Sequence, residues 1–361
     1  MAHGPLEFYS SLIREVEGEC AFVRIGDGFL IGGSRTGQVV CWRVSTGEEV
    51  WRSDFEGPCS ESDIYEGLLF FSESNKVHAI EIETGVVLWS VELEGSSDLV
   101  KFANGSIWAT SSVYNFEIQD YSEGAVWKID NEGSITSKWP TVGRAWSLSL
   151  SDNSAILGLS RPKCGIATIS EENGVVYVPL GNDLPVSIGK GIESGMLVFG
   201  HSDGSITEIY EESISSLNIG RSAVSAIEVG NGWIVGMESG EIVSGGGFDS
   251  WSLEQNGPVD VLSFGPSVKN DKCVWSSSWQ DQSKISVIDM ATGNVNLEVF
   301  HMGRIVSSFF SADSICFGDS EGLVLLIEGE VVRRRFSVSG EEFGEDEIRS
   351  EMRKKLRRLR G

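Results

Sequence analysis

The chain has 361 residues, 40% of them hydrophobic, and a formal net charge of −25. An acidic body of that size has material for a core but is poorly suited to gripping phosphate backbones. No run of 18 apolar residues and no basic stretch ahead of an apolar one occurs, so neither a membrane-spanning helix nor a signal peptide is expected, and a cytoplasmic location follows.

Taken in chain order, residues 1–18 read as an edge or closure segment, within which residues 6–16 form a candidate strand packing near residues 331–336, or equally a short helix. The alternating run Val39-Val40-Cys41-Trp42-Arg43-Val44 then leads into Thr46-Gly47-Glu48-Glu49-Val50-Trp51, and 38 residues later Val77-His78-Ala79-Ile80-Glu81-Ile82 leads into Thr84-Gly85-Val86-Val87-Leu88-Trp89. Strand, turn, strand at a period near 40 residues is the pattern of a β-propeller. The turns opening the alternating strands fall at Gly37, Asn75, Gly124, Gly165, Gly204, Gly240, Ser283 and Gly322, giving eight units. Each is preceded by a short apolar run, as a strand buried on both faces requires. The expected fold is therefore all-β, a propeller of eight four-stranded blades over residues 1–338, with seven as the alternative if the irregular third unit is misread. That unit carries the insertion Asn115–Tyr121, read as an extended hairpin or loop. The 43 glycines, well above the usual share of about 7%, suit many tight turns.

Residues 339–361 read as a linker and a short C-terminal basic helix, with Ile348, Met352, Leu356 and Leu359 on one stripe. Arg349, Arg353, Lys354, Lys355, Arg357 and Arg358 make this tail a candidate contact for a partner groove, an anionic surface or RNA. The rival reading is a solvated terminus held electrostatically against the acidic body.

The Thr-Gly-x-x-x-Trp units resemble the repeats of the pyrroloquinoline-quinone-like, WD-repeat-like propeller family. The match rests on Thr46, Gly47 and Trp51, on Thr84, Gly85 and Trp89, and in part on Asp289, Thr292 and Gly293. The resemblance implies that each Trp docks between neighbouring blades. Leu297 and Arg333 stand where unit seven and unit eight should carry Trp, which reads as drift of the repeat. The resemblance also implies partner binding rather than catalysis for chains that lack the quinone. Quinone dehydrogenases of similar repeat type are longer and carry an adjacent Cys pair, absent here, so no cofactor is expected.

Other chemistry is sparse. The six cysteines include no Cys-x-x-Cys pair, and His3, His78, His201 and His301 have no partner at metal-ligand spacing. No nucleophile elbow or phosphate loop is present. One recurrence stands out: Gly143-Arg144, Gly220-Arg221 and Gly303-Arg304 each precede an innermost strand. Arg144, Arg221 and Arg304 around one channel mouth could hold a carboxylate or phosphate of a protein partner. Alternatively each solvates a turn or pairs with Asp98 or Asp260 across the channel. The expectation is a non-catalytic interaction scaffold. The alternatives are a small-ligand or cofactor-binding propeller using the channel, and an RNA-associated subunit acting through the tail.

Overall fold

The structure, a computed structural model, describes residues 4–151, 154–180, 183–191, 195–210, 213–269 and 272–337. Eight four-stranded antiparallel sheets form the blades, and the alternative of seven falls. In the first blade the strands run Cys20–Gly26, Phe29–Ser34, Gln38–Arg43 and Glu49–Asp54, from the axis outward. The other inner strands are Cys59–Tyr65, Ser96–Ala103, Ala145–Ser151, Val186–Gly191, Val224–Val229, Val259–Gly265 and Ile305–Ser311. Each touches its two sequence neighbours, and the last touches the first, so the ring closes. Second strands such as Phe29–Ser34 and Trp233–Met237 are buried throughout because blades cover both their faces, whereas the outer strand Ser213–Asn218 is exposed throughout. The repeat anchors all lie at or just before the start of a third strand except Gly124, which lies inside its strand because the third blade has a longer hairpin. That hairpin pairs Ser106–Asn115 with Asp120–Ile129 and turns at residues 116–119.

Ring closure joins the two ends of the described chain. The short helix Leu6–Tyr9 is followed by the strand Leu12–Glu15, which pairs with Leu323–Glu328 as the outer strand of blade eight. Both readings of the N-terminal segment hold, in succession. Its pairing partner, however, is not residues 331–336, which belong to a helix over 329–337. Arg335 of that helix still reaches the N-terminal segment, donating to the carbonyl of Ser10 at 2.8 Å. The helix expected from Glu345 onward lies outside the described residues.

Trp51, Trp89 and Trp251 dock between neighbouring blades, as the repeat pattern implies. Trp51 Nε1 donates to Ile82 O at 2.6 Å and its ring covers Gly85 of the next blade. Trp89 treats Asn131 O (2.9 Å) and Gly133 in the same way. Trp251, outside any Thr-Gly motif of its own unit, treats Met290 O (2.8 Å) and Gly293 likewise. The Gly and Trp of one motif thus serve different neighbours. Unit seven keeps Gly293, which receives Trp251. Leu297 instead joins a cluster with Leu6, Tyr9 and Val332, where the terminal segments fill the space. Arg333 does not stand at a Trp position; it sits on the helix and pairs with Asp313 at 2.7 Å. The slot over Gly47 is filled by Arg14 of the closing strand, whose Nε donates to Gly47 O at 2.8 Å.

This packing is testable. Gly85 has φ +74°, and a Cβ there would sit 2.5 Å from Trp51 Cγ. Gly85→Val is expected to cost about 2–5 kcal/mol through backbone strain and overpacking. Gly67 has φ +78° but open space around it, so Gly67→Ala should cost only about 1 kcal/mol of backbone strain. Urea unfolding midpoints of the two variants check the difference; equal shifts would refute the docking account.

Candidate interaction face

Inner strands begin on one face, here the upper one, and every one of the eight carries a register shift next to its first residues. A bulge leaves a residue without a ladder partner and re-aims its side chain. Here it places Asp98, Trp146, Ser187, Ser225 and Asp260 at the mouth of the channel. These positions stitch each blade to the next. Ser187 Oγ donates to Val224 O at 3.0 Å and Ser225 Oγ to Val259 O at 2.7 Å.

The same positions decide what the three arginines do. Arg144 Nη2 pairs with Asp98 Oδ1 at 2.9 Å, and Arg304 pairs with Asp260 through Nε at 3.1 Å and Nη2 at 2.6 Å. Each carboxylate lies on the adjacent blade rather than across the channel. Burial raises the Asp98 carboxyl above its usual range against the pull of Arg144 and Ser112. In the blade before Arg221 the position that holds Asp98 and Asp260 elsewhere is Ser187, which carries no charge to pair with. Arg221 is exposed, makes no ion pair among the described residues, and lines a shallow groove with Asn218, Glu241 and Glu254.

Arg144 belongs to a larger feature. Its Nη1 donates to Tyr121 Oη at 2.9 Å, and its guanidinium stacks on Tyr121 (5.1 Å) and Trp146 (5.0 Å). Tyr121 meets Tyr114 edge-on at 5.3 Å, and Tyr114 meets Phe116 edge-on at 5.2 Å. These rings run from the channel mouth to the tip of the blade-three hairpin. The tip turn is set by Asn115, whose Oδ1 accepts from Glu117 N at 2.8 Å. That turn holds Phe116 out at 85% exposure and Ile118 at 58%. Tyr114, Trp146 and Val142 are also exposed. The insertion is visible in the sequence, but its adjacency to Arg144 is not, because a turn and a strand start some 25 residues apart are joined only by the blade geometry.

Deeper in the channel most charges are already used. Lys190 pairs with Glu228 at 2.8 Å, and Arg24 pairs with Glu61. Asp63 Oδ2 accepts from Phe102 N at 2.8 Å, and Glu228 Oε2 from Phe264 N at 3.2 Å, so these acids satisfy N–H groups of the next inner strand. Lys101 is exposed within the channel and makes no ion pair among the described residues. The protein surrounding it pushes its ammonium below the usual lysine range, while Asp63 and Glu61 act the other way.

Among the described residues no group of three His, Cys, Asp or Glu could hold a metal ion. The cysteines are free thiols. Burial pushes Cys20, Cys41, Cys59 and Cys316 up to about 12, which suppresses thiolate reactivity. His78 and His201 are buried and bound to Ser90 (2.7 Å) and Thr207 (2.8 Å) inside their blades. Burial lowers the pKa of both. No helix among the described residues is long and apolar enough to cross a membrane. His3 and the six tail residues Arg349, Arg353, Lys354, Lys355, Arg357 and Arg358 lie outside the described residues.

Comparison with known proteins agrees with this architecture. Residues 14–154 match the family model described as outer membrane protein assembly factor BamB. No curated protein matches the chain. Among solved structures, the computationally designed Ika8 protein is similar at TM-score 0.74 and 14% identity, over 89% of this chain and 99% of that one. Sqt1 of Saccharomyces cerevisiae is similar at TM-score 0.72 and 12% identity, over 89% and 98%. BamB of Moraxella catarrhalis is similar at TM-score 0.64 and 12% identity, over 88% and 99%. At these identities the likeness is one of fold.

Proposed function

We propose that this propeller, whose repeats are of the pyrroloquinoline-quinone-like type, is a non-catalytic protein-interaction scaffold that engages its partner through the upper face of blades three and four. One observation carries the reading: the run Phe116–Tyr114–Tyr121–Arg144–Trp146, exposed at both ends and held by ring and guanidinium contacts. Exposed aromatics beside an arginine are the composition of interface hot spots, and an apolar tip held out in water is otherwise a cost. Arg221 and Arg304 lie on the same face; Arg221, with no ion pair among the described residues, is open to an acidic group of the partner, while Arg304 is held by Asp260. Inert thiols and paired channel charges support a scaffold over a channel enzyme. Six free thiols support a reducing compartment, the cytoplasm.

The test is affinity capture from the native cell with quantitative mass spectrometry. Phe116→Asp combined with Ile118→Asp removes exposed side chains only, so the thermal unfolding midpoint should stay within a degree or two of the parent. Captured partners should fall by roughly 30-fold or more, as loss of about 2 kcal/mol or more at a hot spot requires. Unchanged capture would rule the hairpin out as the contact.

A further inference from the structure

We infer that the channel holds a binding site for a small carboxylate between blades four and five, near its lower mouth. This goes beyond the upper-face reading and does not depend on it. The first ground is a device that the ring repeats. Each inner strand is the edge of its sheet, so alternate N–H groups face the axis without a ladder partner. Asp63 meets two of them. Its Oδ1 accepts from Ile64 N at 2.9 Å in its own strand, and its Oδ2 from Phe102 N at 2.8 Å in the next. Glu228 does the same for blades six and seven, with Oε1 on Val229 N at 3.1 Å and Oε2 on Phe264 N at 3.2 Å. One carboxylate thus clamps two blades.

In blade four the same register places Ser149 at this position. It pairs with Ile156, two residues before the hairpin-closing pair Ser151 and Ser154, as Asp63 pairs with Phe70 two residues before Tyr65 and Leu68. The N–H groups to be clamped here are those of Leu150 and of Gly191, which stands in blade five where Val229 stands in blade six. Among the described residues no side chain accepts from either. Leu148 and Leu150 pack with Leu99 and Trp108 of blade three, so Ser149 between them faces blade five. Ser149 is 9% exposed, and its Oγ has no hydrogen-bond partner among the described residues. At the junction of blades eight and one the position is Phe309, which lies under the Arg24 guanidinium at 4.9 Å and offers a ring instead.

The second ground is charge. Val100 and Phe102 pack on Phe70 and Val77 of blade two, so Lys101 between them points toward blade four. It is exposed to the lumen and makes no ion pair among the described residues. Lys190 and Arg24 act on it as like charges, while their own partners are Glu228 and Glu61. A carboxylate from outside would do for Leu150, Gly191 and Ser149 what Asp63 and Glu228 do at their junctions, and would neutralise Lys101. The class of ligand follows from the place, which is that of a side-chain carboxyl group. Ser149 stands two residues, roughly 7 Å, from the lower end of its strand, so the site lies far from the Arg144 end of the channel.

The test uses the full chain, labelled with nitrogen-15, with acetate as probe and chloride at matched ionic strength as control. The amide signals of Leu150 and Gly191 should shift saturably with acetate and not with chloride. Lys101→Met should weaken acetate at least about tenfold, as loss of a charge-assisted hydrogen bond requires, and Ser149→Ala about threefold. Both variants should unfold at the parental temperature. Ser149→Asp supplies the carboxylate from the chain itself. It should abolish the acetate response and raise the unfolding midpoint by roughly 2 °C or more. A carboxylate put at an ordinary buried position lowers the midpoint instead. Three results would overturn the inference: an acetate response no larger than that of chloride, an acetate affinity unchanged in Lys101→Met, or a lowered midpoint in Ser149→Asp.

Discussion

Deleting residues 1–16 is expected to remove the cooperative unfolding transition or to lower its midpoint by more than 15 °C. The segment supplies the fourth strand of blade eight, in register from Leu12 opposite Leu326 to Glu15 opposite Leu323. It also buries Leu6 and Tyr9 completely and Val16 to 5% exposure. Full burial of such side chains is worth about 2 kcal/mol each, so the loss approaches the whole net stability of about 5–15 kcal/mol typical of a folded chain. Deletion also uncovers the edge of Leu323–Glu328 and empties the slot over Gly47, leaving an open strand edge that invites aggregation. Scanning calorimetry with light scattering measures both. A truncated chain that unfolds at the parental temperature would show that closure is not by this strand.

The second large effect concerns His301, which is 2% exposed and lies where the N-terminal helix meets blades seven and eight. Its Nδ1 faces Glu7 Oε1 at 2.7 Å and its Nε2 faces Asp319 Oδ2 at 2.8 Å. Burial opposes the charged ring, but the hydrogen bonds to Asp319 and Glu7 outweigh it, so its pKa is raised. A group whose folded pKa lies above its unfolded value of about 6.5 gives its full stabilisation below that pH and loses it as pH rises through the folded pKa. His301→Ala leaves the carboxylate of Asp319, 0% exposed, without its cation. The expected cost below pH 6.5 is about 3–5 kcal/mol, the range for breaking a buried pair. The cost should shrink as pH rises through the raised folded pKa. His78 and His201, with lowered pKa, act with the opposite sign and destabilise on acidification. The difference between parent and variant, from urea titrations at several pH values, therefore isolates His301. A cost independent of pH would mean that the ring is neutral in the folded state.

Much of this architecture is legible in the order of the residues alone. Seven of the eight turns are readable because a glycine or small residue opens a strand at its own position, and the propensity for a turn is local; Gly124 lies inside its strand because the hairpin there is longer. The tryptophan docking is readable only in part. Trp51 and Trp89 stand out because their units also carry Thr-Gly, yet those glycines receive other side chains. Trp251 gives no such signal, because its own unit has no Thr-Gly ahead of it. Arg144, Arg221 and Arg304 look equivalent in sequence. They differ in space because the preceding blades place Asp98 and Asp260 against Arg144 and Arg304, whereas Arg221 makes no ion pair among the described residues.

The sequence by itself determined the strand periodicity, a count of eight units with seven as the alternative, and the presence of an insertion in the third unit. Each follows from alternation and turn chemistry within a window of about 40 residues. Only the tertiary structure decided that Leu12–Glu15 completes blade eight, that Arg14 stands in for a tryptophan over Gly47, and that the hairpin tip at Phe116 continues into the stack around Arg144. Those contacts join neighbouring blades, or segments some 300 residues apart, and no local pattern records them. Their partners are chosen by the angle at which one blade meets the next.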